Sequence, residues 1–124
     1  MPDEYAALLA DMKTLTQTVD EATVTLPMAE HGWNTRPDAE SYGEIYGLEF
    51  EADALTGDDR KTARAFENSA DLYSRDRRGA GWVQLIERTL AEHCGTRWTL
   101  NHHGYERETA LFHWEWAFQT QTEE

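Results

Sequence analysis

Leu111–Phe118 reads LFHWEWAF, with Phe112, Trp114, Trp116 and Phe118 at every second position and Leu111, His113, Glu115 and Ala117 in the gaps. Successive side chains on a pleated strand point to opposite sides, so strict alternation over eight residues is a β-strand with one aromatic face. Four large rings on one side demand cover, and helices are the expected cover.

Outward from this strand, Arg97–His103 and Tyr105–Phe118 read as a closing strand pair around Gly104, with Trp98 and Leu100 facing inward. Before them, Trp82, Leu85, Ile86, Thr89, Leu90 and His93 keep helical spacing from Gly81 to Cys94, and Gly95 supplies the usual stop. Further upstream, Tyr46, Leu48, Phe50, Ala52 and Ala54 alternate with Gly47, Glu49, Glu51 and Asp53, a strand with an acidic outer face. A turn at Thr56–Asp59 joins it to Lys61–Ser74, which carries Phe66, Ala70 and Leu72 inside and Glu67 and Asp71 outside. At the amino end, Tyr5, Leu8, Leu9, Met12, Leu15 and Val19 lie on one face of a helix that Asp3 would cap. Thr23–Ala29, with Val24, Leu26 and Met28 on one side, reads as a short strand, at an edge because of Pro27. His31–Ser41 reads as a loop anchored by Trp33.

The sum is one α+β domain over residues 1–124 in the order α-β-β-β-α-β-β. Its antiparallel-rich sheet of four to five strands has two helices packed on one face.

Composition narrows the function classes. The chain has 124 residues, enough to bury roughly two-thirds of its unfolded surface without staples. Cys94 is the single cysteine, so no intrachain disulfide forms, and a reducing compartment is expected. Met1–Ala10 carries Asp3 and Glu4 where a secretory leader would be basic, and no apolar run approaches the roughly 18 residues of a membrane span. A soluble, unprocessed protein made in the cytoplasm is the expectation. The formal net charge of -13 repels polyphosphate, which argues against direct binding of DNA or RNA over most of the surface. Disorder is argued against by 14 aromatic residues and a hydrophobic content of 40%.

No catalytic motif stands out, and the sequence assigns neither catalytic residue, cofactor nor metal. His102 and His103 are neighbours on a strand and point to opposite faces; His102, His113 and Glu115 would converge only across paired strands, without a spaced ligand motif. His93 and Cys94 diverge near a helix end, and Cys94 reads as a small core residue. Gly79, Ala80 and Gly81 lack the lysine and spacing of a nucleotide loop. Arg75, Arg77 and Arg78 form a basic turn suited to solvent, to the carboxylates of a neighbouring copy, which arginine forks grip bidentately, or, as the less favoured reading, to an anion.

The element order and three stretches, Tyr46–Leu55 (YGLEFEADAL), Asn68–Tyr73 (NSADLY) and Leu111–Phe118, together with the helix from Gly81 to Cys94, resemble the small tail-completion proteins of tailed bacteriophages and prophages. Among them the chain looks most like the tail terminators of long flexible tails. The resemblance covers the layout from Tyr5 to Gln119. It implies a non-enzymatic virion protein that forms a ring, typically a hexamer, at the head-proximal end of the tail tube. Such a ring ends tube growth and joins the head connector, so the partners it implies are other copies, the tube protein and the connector.

A ring is a heterologous assembly in which one patch meets a different patch on the next copy. Candidate contacts are Trp33, the tip at Thr56, Asp58 and Asp59, and the turn at Arg75, Arg77 and Arg78. Glu49, Glu51 and Asp53 are candidates for an acidic lumen face that keeps passing DNA from sticking, or else for an ordinary solvated strand face. Two other classes remain open. An acidic monomeric module that masks a basic partner predicts a carboxylate cluster at its contact face. A small-molecule enzyme or carrier predicts an apolar cavity lined by His102 or His113.

Overall fold

A computed structural model describes residues 4–30, 39–55 and 61–123, with the backbone alone at 48–55, 61–65, 122 and 123. Helix α1 (Glu4–Met12) leads into a two-stranded hairpin of β1 (Thr16–Val19) and β2 (Ala22–Thr25). β3 (Met28–Glu30), β4 (Ser41–Leu55) and β5 (Lys61–Ser74) follow, then α2 (Trp82–Cys94), β6 (Trp98–Glu106) and β7 (Leu111–Glu123). The main sheet has the order β3-β4-β5-β7-β6. Among the described strands only the three-residue β3 runs parallel to its neighbour, and the other pairings are antiparallel. This is the expected α+β domain, with five strands in its main sheet.

Both helices lie on one face. Leu8 and Met12 of α1 and Trp82, Ile86, Leu90 and Cys94 of α2 meet Trp114, Trp116 and Phe118 of β7, with Ile45, Ala70 and Leu72 beside them. The aromatic row therefore packs beneath the helices, as its spacing predicts. Trp116 is fully buried and its indole N–H donates to Glu87 of α2 at 3.0 Å, which satisfies the one polar atom of the largest core ring. Arg97 donates to both carboxylate oxygens of Glu4, at 3.0 and 3.2 Å. Glu4 also accepts from the Gln121 backbone at 2.7 Å, tying the start of α1 to the end of β7.

Several boundaries differ from the sequence reading. α1 stops at Met12, where the Thr14 hydroxyl donates back to the Ala10 and Asp11 carbonyls, and does not run on to Val19. Thr16–Val19 is a strand because it finds a partner in Ala22–Thr25 across a two-residue turn, with Asp20 at φ 50° and Glu21 at φ 67°. The expected strand over Thr23–Ala29 is thus two pieces that break at Pro27, and Val24 is exposed. In β4 the core residue is Ile45, one position from the expected Tyr46, which faces the other way. Gly104 lies inside β6 and the closing turn falls at Arg107–Ala110, with Ala110 at φ 59°. Trp98 packs against the core as expected, whereas Leu100 sits at the sheet edge, exposed. The expected cap at Asp3 and the loop over 31–38 lie outside the described residues.

Candidate functional site

The sheet face turned away from the helices carries the titratable groups. Register sets Glu44, Asp71, Glu115 and His102 in one row across β4, β5, β7 and β6, and Tyr42, Tyr73, His113 and Gly104 in the next. Directly opposed carboxylates destabilise a sheet unless something offsets them. Here the offset is His113, whose Nε2 lies 2.7 Å from Asp71 and whose Nδ1 lies 3.1 Å from Glu106. Asp71 and His113 are both buried, so Asp71 is not the outward solvated carboxylate that its alternation predicts. Tyr73 stacks on the imidazole at 4.4 Å, Tyr42 stacks on Tyr73 at 5.1 Å, and His102 meets His113 edge-on at 5.3 Å.

Burial pushes the His113 imidazole toward the neutral form, yet the hydrogen bond and charge of Asp71, reinforced by Glu106, outweigh it and raise its pKa. Burial and the same carboxylates also raise that of Tyr73, and the Glu44 carboxylate accepting from Tyr46 at 2.6 Å raises the Tyr46 phenol to about 12. The open face is thus a locked ionic and aromatic mosaic.

Asp71, His113 and Glu115 place ligand-type atoms within 4.8 Å of one another. A metal would need a neutral imidazole with one nitrogen free to coordinate. Both His113 nitrogens face carboxylate oxygens, which suits an imidazolium donating twice, and the same engagement leaves no lone pair for general-base work. A cleft of about 590 Å³ beside the β1–β2 hairpin is lined by Val24, Pro27, Ser41, Ala80 and Trp82 among others, with neither His102 nor His113 on its wall.

Arg75, Arg77 and Arg78 are exposed on the turn that leaves β5, and Asp76 shapes that turn by accepting from the Arg78 backbone at 2.7 Å. Trp33, Thr56, Asp58 and Asp59 lie outside the described residues. Glu49, Glu51 and Asp53 fall in the distal half of β4, where only the backbone is described; Glu51 stands opposite Phe66 and Asp53 opposite Arg64, beyond an irregularity after Gly47. The Asp71–His113–Glu106 triad escapes sequence reading because Asp71 and His113 are 42 positions apart and only strand register unites them. The one signal is a histidine in a gap of the aromatic row, two positions from Glu115.

Cys94 is fully buried, and burial pushes its thiol up to about 11, as befits a small core residue. Among the described residues, no helix is long and apolar enough to cross a membrane. No protein-family model matches the chain, and a search of curated proteins finds no match.

Proposed function

We propose that this protein is a non-enzymatic tail-completion subunit of a tailed phage or prophage, a tail terminator that forms a ring, six copies in the reading favoured here. The ring sits at the head-proximal end of the tail tube, ends tube polymerisation and meets the head connector. The observation that carries this reading is the one-sided architecture. Both helices cover one sheet face, while no other described helix or strand covers the opposite face, which carries the row of half-buried Glu44, buried Asp71 and half-buried Glu115. A ring around DNA needs a wall that does not bind phosphate, and a face rich in carboxylates supplies one. Glu49, Glu51 and Asp53 lie farther along the β4–β5 hairpin, past the irregularity after Gly47, where register sets Glu51 and Asp53 opposite Phe66 and Arg64 and not in the row of Glu44; their place on the lumen is a separate proposal. The exposed turn of Arg75, Arg77 and Arg78 is suited to the carboxylates of an adjoining copy.

The test is the molar mass of purified protein by light scattering over a concentration series, alone and with tail-tube protein, with negative-stain images of the largest species. A ring, formed alone or on addition of tube protein, is the expected result. A strict monomer indifferent to tube protein overturns the reading in favour of an acidic module with a basic partner. Separately, reversing Glu49, Glu51 and Asp53 to lysine is expected to slow DNA ejection from particles whose rings still assemble; normal ejection removes those three residues from the lumen.

A further inference from the structure

Large apolar side chains exposed among the described residues are Val19, Val24, Leu100 and Tyr105, at 51%, 41%, 40% and 54% of full exposure. They are not scattered. Val19 and Val24 lie on one side of the β1–β2 hairpin, where register pairs Gln17 with Val24 and Val19 with Ala22. Leu100 and Tyr105 lie on one side of β6, the terminal strand of the main sheet, opposite Trp116 and Phe112. An extra residue at Asn101 keeps them on the same face by shifting register between Leu100 and His102.

Each patch also borders strand backbone that no other described strand pairs. The hairpin is a sheet of two strands only, and β6 has β7 on one side and no strand on the other. Isolated two-stranded hairpins are marginal in water, and an unpaired edge is a template for another strand. The hairpin tip also avoids like charge there: Asp20 and Glu21 form the tip, and in a chain of net charge -13 β6 carries no carboxylate from Trp98 to Tyr105, before Glu106.

We infer that the hairpin of one copy packs along the β6 edge of the next, Val19 and Val24 against Leu100 and Tyr105, with the acidic tip beside the carboxylate-free run of β6. The occupant of each patch is a second copy of this chain, and the contact is heterologous, so a fixed rotation between copies closes it into a ring. The inference rests on the ring reading above and supplies its subunit junction.

Two variants test it, each confined to exposed side chains: Val19→Asp with Val24→Asp, and Leu100→Asp with Tyr105→Asp. Unchanged circular dichroism establishes that each folds. Each alone, with tube protein wherever wild type needs it, is expected to have the mass of one chain. Mixed together they are expected to give pairs and nothing larger, because a spoiled hairpin and a spoiled edge leave one intact junction per pair. A wild-type ring whose mass neither variant changes overturns this junction and leaves the ring reading standing. Spoiled variants that stay single when mixed point to an isologous contact and also overturn it. A wild type that stays a single chain with tube protein present overturns both.

Discussion

His113 is the residue on which the open face turns. Its pKa lies above the unfolded value of roughly 6.5, so its contribution to stability is complete below that pH and is lost as pH rises through the folded-state value. Urea unfolding of the wild type is therefore expected to show falling stability on the alkaline side. His113→Gln should flatten that dependence and cost about 2–3 kcal/mol at pH 6, since it strips a buried Asp71 of its charged partner. A variant with the wild-type pH profile would show that His113 is not the group that sets it. Cys94 gives an independent check on the other face: with its thiol pushed up to about 11 and fully buried, it should resist thiol reagents at pH 8 until the protein opens. Labelling as fast as that of a small thiol would remove it from the core.

Among the elements, the β1–β2 hairpin is the least self-sufficient. Asp20 and Glu21 both occupy the left-handed region, where non-glycine residues are strained by roughly 1–2 kcal/mol each, less for aspartate. Replacing the pair with Asn-Gly should relieve about 1 kcal/mol and slow amide exchange in the hairpin about fivefold. Unchanged exchange would show that the turn is not what limits hairpin opening. The same pair explains why sequence reading carries the first helix too far. Leu9, Met12, Leu15 and Val19 continue a helical spacing past the end of α1, and Asp-Glu lacks the glycine that announces a hairpin. β7, α2 and β5 are legible because each has an unambiguous period and, for α2, a glycine stop at Gly95. β4 is legible as a strand but not in its faces, because Ile45 and not Tyr46 meets the core and an irregularity after Gly47 shifts the alternation. The parallel pairing of β3 and the bulge in β6 are not, because they follow from which strands become neighbours.

For the molecule as a whole, the apolar core lies on one side of the sheet. Trp116→Ala is expected to cost about 3–5 kcal/mol by opening a cavity under both helices, measured as a drop in the unfolding midpoint. Arg75→Gln, Arg77→Gln and Arg78→Gln together should move stability by less than about 0.5 kcal/mol while weakening self-assembly, which light scattering would register. A large loss of fold stability would instead make the turn a structural element. This side-to-side division is legible in outline from the aromatic row. What that row conceals is the opposite face, because Asp71, Glu106 and His113 look like ordinary solvated positions until the strands are aligned.

The division also sorts the chromophores. The described tryptophans, Trp82, Trp98, Trp114 and Trp116, lie on the helix side, whereas Tyr42, Tyr46 and Tyr73 stand on the open face and Tyr5 and Tyr105 on the helix side. Near-ultraviolet dichroism consequently carries an indole band structure that follows packing under the helices and a phenol band weighted toward the open wall by three of the five tyrosines. A molecule arriving at that wall should perturb the phenol band and leave the indole bands in place.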